Sequence, residues 1–373
     1  MKTLIFLSEF VTNNGGVPQT IIDLVRGLAI SLKFKIILLC PKNSEMAQIE
    51  FPPNVHVRTT LSTNWFVSRS SIWRTVLTIV DLYLRLRKIL NKKAWVITNH
   101  SVSSALLSLM PFFHINEIYI NRGGDFNDAG FASRLMRRKI SKSKIRYGIG
   151  ISQRQVNLLL DSGMAPDSVF LVHDGLTLPS CTYAPVNLNK LNLRISTIGF
   201  ISDLKNQIEG VRLIKLLRDN GINASLNIYG SPITGDDYYQ RLIHVIEELN
   251  LNDYINIKGF VSGESLFGDT DVLVSFSRSE GFGRTLVEGM LRRKPIIAWR
   301  VAGGPVDITD NGKYGYLVEN NTAAEYCEII SELMNNPQSY YTMIENAFSY
   351  AYDNFTIYSM NEKYINLFHR ICN

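Results

Sequence analysis

The chain is short of cysteine, of charge and of long apolar runs, and each shortage removes a class of protein. Four cysteines in 373 residues (Cys40, Cys181, Cys327 and Cys372) lie far apart with no Cys-x-x-Cys pair. That spacing supports neither a disulfide scaffold nor a structural zinc site, and it points to a reducing compartment. Charged residues make up 19% of the chain against 46% apolar, with 25 glycines and 12 prolines. This is ordinary globular composition, which excludes a disordered chain, a collagen and a coiled coil. The longest uncharged apolar stretch, 101–113, is interrupted by Pro111. It falls well short of the ~20 residues that a membrane-spanning helix needs. The opening MKTLIFLSEF has too short an apolar run before Glu9 for a signal peptide, and no small-residue cleavage site follows. The expectation is a soluble cytoplasmic protein.

What is present is alternation. Short β-branched or apolar runs at 3–8, 34–40, 94–98, 117–121, 193–199, 224–230, 255–260, 271–276 and 295–299 predict buried strands. Helical spacing falls between them at 20–32, 72–90, 207–220, 236–249, 284–291 and 323–334. Strand–helix alternation throughout predicts parallel sheets covered on both faces. At this length two domains of about 150–200 residues each are required. The segment HDGLTLPSCTYAPVNLN, rich in Pro, Thr and Asn and without periodicity, marks a linker. The predicted division is 1–178 and 179–373, with the last helix able to pack back on the first domain. Two doubly wound domains joined this way make a cleft.

Charge separates the halves. Net charge is +6 overall, but residues 1–178 carry +11 and residues 179–373 carry −5. Much of the excess sits in two segments, 69–93 and 134–146. The first is apolar on one side at helical spacing and basic at its end. A basic amphipathic stretch suits an anionic membrane surface; a packed helix with a solvated basic face has the same pattern. No nucleic-acid-binding motif accompanies the charge.

In doubly wound sheets ligands bind beyond the carboxyl ends of the strands. Four loops of the second half lie there: 200–206, 230–235, 277–283 and 300–305. They carry Lys205, Gly230, Glu280, Gly281, Gly283, Gly303 and Gly304. The equivalent loops of the first half hold Asn13-Asn14-Gly15-Gly16 and Asn121-Arg122-Gly123-Gly124-Asp125. Glycine at a strand end lets backbone amides approach an anion, and a following helix N-terminus favours negative charge. The stretch SRSEGFGRTLVEGM places Glu280 in a loop and Glu288 just over a turn inside the next helix. Both carboxylates could then face a ligand at that helix start, or Glu280 could cap the helix and Glu288 be a solvated helix residue.

The surroundings choose between these. VLVSFSRSEGFG, RTLVEGM, KPIIAW, AGGPVDI and DNGKYGYLVEN follow one another as in the retaining glycosyltransferases of the GT-B fold, family four, which this region resembles. STIGFISDLKN, NIYGSP and INIKGFV continue the resemblance, and NNGGVPQTIIDLVRGLA extends it loosely to the first half. It implies the GT-B fold: two doubly wound Rossmann-like α/β domains with a deep cleft between them. It also implies roles. Lys205 would contact the donor diphosphate, Glu288 the nucleotide ribose and Glu280 the donor sugar, with Lys205 and Glu280 carrying catalysis. The amides of Arg284, Thr285 and Leu286 would take the distal phosphate, and Gly230, Val261, Gly281, Phe282 and Gly283 would complete the donor site. The first domain would bind the acceptor through Gly15, Gly16, His100 and Arg122.

The family needs no metal, and no DxD acidic pair precedes a suitable loop. No cofactor is expected, the nucleotide-sugar being a co-substrate. Two departures stand out. The family's arginine beside the first glycine of the lysine segment is Phe200 here, so Arg278 or Arg284 must replace that cation if it is replaced. The first-domain histidine of many members gives way to Asn121-Arg122, with His100 the nearest histidine. The implied function is retaining transfer of a sugar, from a UDP-sugar first and GDP-mannose second, to a hydroxyl of a glycan acceptor. The acceptor is expected to be lipid-linked, at the inner face of the cytoplasmic membrane, in cell-surface polysaccharide or O-antigen assembly. The rivals are a sugar-nucleotide epimerase on the same scaffold and a catalytically silent sugar-nucleotide-binding subunit.

Overall fold

The predicted alternation folds into two parallel sheets in a computed structural model. The structure describes residues 2–11, 16–31, 33–63, 65, 72–90, 93–110, 115–123, 131–141, 144–188, 192–261, 263–301 and 303–372. The chain divides into two compact units, Met1–Gly175 with Ile357–Asn373, and Leu176–Thr356. The last helix therefore belongs to the first unit, not to the stretch that follows the linker.

In the first unit seven strands form the sheet: β1 (Lys2–Leu7), β2 (Phe34–Cys40), β3 (Val55–Thr59), β4 (Ala94–Thr98), β5 (Asn116–Asn121), β6 (Tyr147–Gly150) and β7 (Val169–Leu171). Their order is β3-β2-β1-β4-β5-β6-β7, and every pair is parallel. Helices α1 (Gly16–Ile30), α2 (Ile72–Ile89), α3 (Ser101–Ser108), α4 (Phe131–Ser141) and α5 (Gln153–Asp161) connect them. The β1, β2 and β4 runs are almost wholly apolar because both faces of the sheet are covered. The sequence pattern leaves out β3, β6 and β7. VHVRT alternates with polar residues at the sheet edge, YGIG is half glycine, and VFL is three residues long.

In the second unit the strands are β8 (Leu193–Ile198), β9 (Ala224–Tyr229), β10 (Ile255–Gly259), β11 (Val272–Ser275), β12 (Ile296–Trp299) and β13 (Tyr316–Val318). They are ordered β10-β9-β8-β11-β12-β13, again all parallel. The helices are α6 (Gln207–Asp219), α7 (Tyr238–Glu248), α8 (Ser265–Gly268), α9 (Arg284–Met290), α10 (Gly304–Ile308), α11 (Ala323–Asn335) and α12 (Pro337–Phe355). A capping box opens α11, where the Thr322 and Glu325 side chains each bind the other's backbone amide. Its core joins Leu226, Ile228, Val272, Val274 and Phe276 of the sheet to Val211, Ile214 and Leu217 of α6 and to Tyr326 and Ile330 of α11.

The chain leaves helical geometry at Thr356 and re-enters it as α13 (Ile357–Ile371). This helix lies on α1 so closely that a methyl group at Gly27 would stand 1.9 Å from the Asn361 side chain. Phe34 meets Phe368 edge-on with ring centroids 6.4 Å apart, so α13 also closes the first unit at β2.

Candidate functional site

Strand order reverses between β8 and β11 in the second sheet. The loops leaving their carboxyl ends run in opposite directions and open a crevice at that edge. Lys205 stands on one of these loops and Glu280 on the other, and the two form an ion pair. The turn that presents the lysine is tightly built. The amides of Lys205 and Asn206 both donate to the Ser202 carbonyl at 3.0 Å, and Asn206 takes a left-handed conformation to open α6. The lysine stem lies against Gly199, where an added Cβ would be 3.1 Å from Lys205 Cε. The Arg278 amide donates to the Leu204 carbonyl at 2.8 Å, joining the two loops through their backbones. The Arg278 guanidinium donates to Asn206 Oδ1 at 3.3 Å, beside the lysine turn, while Phe200 is exposed.

Glycine is required where these loops crowd. At Gly230 an added Cβ would sit 1.9 Å from the Gly199 carbonyl, and at Gly304 it would sit 1.6 Å from that of Phe282. The second contact packs the start of α10 against the Glu280–Gly283 loop. Phe282 is buried and meets Phe355 edge-on at 5.7 Å, so its ring anchors the loop rather than facing a ligand. Val261 follows β10 at the same edge and is half-buried.

Gly283 caps α9 at φ 93°, and Leu286 donates its amide to the Gly283 carbonyl at 2.9 Å. That engages one of the three amides expected to meet phosphate, because the turn consumes it. The Leu286 side chain is buried, whereas Arg284 and Thr285 are partly exposed. Glu288 is not a solvated helix residue. Burial raises its carboxyl above the usual range, against the opposing charges of Arg284 and Arg292. Arg292 also donates to the Glu288 carbonyl at 3.1 Å and is held by both oxygens of Glu264, at 2.9 and 3.0 Å. Those bonds and the Tyr183 hydroxyl hold the Glu264 carboxyl down at about 2. The acidic pair Asp269 and Asp271 is bound by Arg194.

The first sheet reverses between β1 and β4, and its crevice lies beyond their carboxyl ends. Gly16 opens α1 there; Gly15, Asn13, Asn14, Gly124 and Asp125 lie outside the described residues. His100 caps α3, its Nδ1 accepting the Val102 amide at 3.2 Å. Burial lowers its imidazole below the usual value. Sequence reasoning passed over the residue beside it. Glu9, two residues beyond β1, is fully buried, with Oε1 3.3 Å from His100 Nδ1, and burial raises its carboxyl to about 7. The two directions agree: burial disfavours the charged form of both groups. Arg122, expected to meet the acceptor, is buried in an ion pair with Asp174, and its Nε donates to Asn99 Oδ1 at 3.3 Å. Its charge is therefore already met. Along this edge Glu9, Asn99, Asn121, Arg122 and Ser152 each keep a buried polar atom without a hydrogen bond. The available signal was a carboxylate placed directly after an apolar strand, as in TLIFLSE.

Residues 186–350 match the family described as "Glycosyl transferases group 1". Over 254 residues the chain is 24% identical to a poly(ribitol-phosphate) alpha-N-acetylglucosaminyltransferase of Staphylococcus aureus, covering 67% of this chain and 50% of that protein. Over 136 residues it is 35% identical to an uncharacterized glycosyltransferase of Methanocaldococcus jannaschii, covering 36% of this chain and 37% of that one. The chain thus spans half or less of the length of these relatives. Among solved structures, Anabaena HepE in complex with UDP and glucose matches over 100% of both chains, with a TM-score of 0.79 and 18% identity. That likeness shows the fold: two parallel-sheet Rossmann-like domains of the GT-B type.

Proposed function

We propose that this chain is a retaining glycosyltransferase, taking a sugar from a nucleotide-sugar, UDP-linked by preference, to a hydroxyl of a glycan acceptor. One observation carries the reading. Lys205 and Glu280, 75 residues apart, meet at the switch point of the second sheet, inside the segment that matches the glycosyl transferase family. UDP in the HepE structure supports the choice of nucleobase. Glu280 holds the lysine in place until a donor arrives. The diphosphate then competes for the ammonium, which offsets charge on the leaving group as the anomeric carbon–oxygen bond breaks. The acceptor hydroxyl forms the new bond to that carbon, and its proton leaves with the diphosphate. Glu288 takes the ribose, and the amides of Arg284 and Thr285 at the start of α9 meet the distal phosphate. No metal enters, because the chain's own cations meet the charge. The acceptor is a lipid-linked glycan, in keeping with the basic first unit.

The test is turnover of a donor panel on lipid-linked acceptors, with binding read separately by thermal shift against UDP, GDP, ADP and CMP. Lys205→Ala and Glu288→Ala should each lower transfer on the order of 10²–10³ fold, with the fold intact. Glu288→Ala should weaken nucleotide binding itself, and Glu280→Ala should chiefly lower turnover. EDTA should leave the rate nearly unchanged, and proton NMR should show the donor's anomeric configuration kept. An inverted product, strict metal dependence or full activity in both variants overturns the reading. Epimerisation without an acceptor, or binding without turnover, would establish one of the two rivals.

A further inference from the structure

Helix α2 is apolar on two opposite faces. One face joins the core, with Leu82 and Leu86 buried and Ile79, Tyr83 and Ile89 packed beside them. The other faces water. Trp73 is 80% exposed and Leu77 67%, with Val76, Val80 and Leu84 between 42% and 49%. At 3.6 residues per turn these five fall within an arc of about 100°. Leu61, 70% exposed, adjoins the helix, its amide donating to Asp81 Oδ2 at 2.5 Å. A second apolar face on a helix of 18 residues needs a cover, and the five side chains on it stay exposed among the described residues.

Charge says what that cover is. The last turn carries Arg87 and Lys88, at the end of the outer stripe. The acidic side chain of the helix, Asp81, lies off the stripe and is paired with Arg85 at 2.8 Å. The first unit as a whole has 24 lysines and arginines against 12 acidic residues. Two copies of so basic a unit would repel one another, whereas an anionic lipid surface attracts it. Among the described residues no helix is long and apolar enough to cross a membrane, so the contact is along the surface.

We propose that α2 lies in the interface of an anionic membrane, with Trp73, Leu77, Val80 and Leu84 inserted among the lipids and Arg87 and Lys88 against their phosphates. This deepens the lipid-linked acceptor reading and shares its membrane. A stripe of this kind adds apolar burial to charge attraction. Salt alone should therefore weaken the association without abolishing it. Tryptophan suits the position, since its ring favours the headgroup level.

The experiment uses the full chain with vesicles of phosphatidylglycerol and phosphatidylcholine. The expected result is co-sedimentation with the anionic vesicles and quenching of tryptophan emission by brominated lipid. Trp65 and Trp95 are buried and Trp299, half-buried, lies in the second unit, so Trp73→Phe should remove most of the quenching. Leu77→Asp with Val80→Asp should lower vesicle affinity at least tenfold while leaving the thermal shift by UDP unchanged. That second readout separates failure of the membrane contact from failure of the donor site. Equal binding to pure phosphatidylcholine overturns the proposal. So does wild-type affinity in the double variant, or a vesicle-free dimer that the double variant dissolves.

Discussion

Glu9 is the residue whose chemistry the fold changes most. An ordinary glutamate releases its proton near pH 4.5; burial just beyond the end of β1 holds the proton until about pH 7. The native chain then binds a proton that the unfolded chain has lost, so stability falls as pH rises from about 4.5 to about 7 and levels off above that. Glu9→Gln keeps the shape and removes the titration. Its stability relative to wild type should rise by about 2–3 kcal/mol between pH 5 and pH 8, measured by urea unfolding at each pH. An equal difference at both pH values would show that Glu9 is ionised throughout. Residues of this kind divide by how far apart their partners lie in the chain. The Glu280–Glu288 spacing is legible because one loop and one helix set it. The contact of Lys205 with Glu280 crosses 75 residues, and that of Glu9 with His100 depends on which strands become neighbours. Arg122 shows the same limit: a charged residue in a glycine loop suggests a ligand, and its ion pair with Asp174 from a distant strand end is not legible in the sequence.

Elements that are long and strongly patterned were readable. The strands at 34–40 and 94–98 have the predicted bounds, and the helix predicted over 72–90 ends one residue sooner. Helices α12 and α13 were not assigned, because tyrosine and asparagine blur their apolar faces over PQSYYTMIENAFSYAYDNF and IYSMNEKYINLFHRI. The second face of α2 was missed for another reason. A helix with apolar residues on two opposite faces yields one of them to a search for amphipathicity, and only packing shows which face is left over. Turn glycines give an element-level test. Gly230 and Gly235 both have positive φ, at 148° and 83°, but only Gly230 has backbone within reach of an added Cβ. Gly235→Ala should cost about 1–2 kcal/mol for the left-handed conformation alone. Gly230→Ala must also move Gly199, so it should cost more and should weaken the thermal shift by UDP. Equal costs would mean that the ends of β8 and β9 can separate freely.

At the scale of the whole molecule the chain forms two compact units, and it returns to the first after completing the second. The sequence shows a linker near 173–191 because proline and asparagine mark it, but the return at Thr356 falls between two helices with no such mark. Without α13, α1 would expose the groove around Gly27, and Phe34 would lose Phe368. A fragment of residues 1–175 should therefore unfold at lower denaturant than the first unit of the intact chain, and a peptide of residues 357–373 should raise its midpoint. A fragment as stable alone as with the peptide would make α13 dispensable. The same return sets an order of events during translation. The ribosome makes α13 only after all of the second unit, so the first unit to be synthesised is the last to be finished. Until then a nascent chain carries an open apolar groove, and the growing polypeptide must remain free of aggregation for the time taken to add the 181 residues from Leu176 to Thr356.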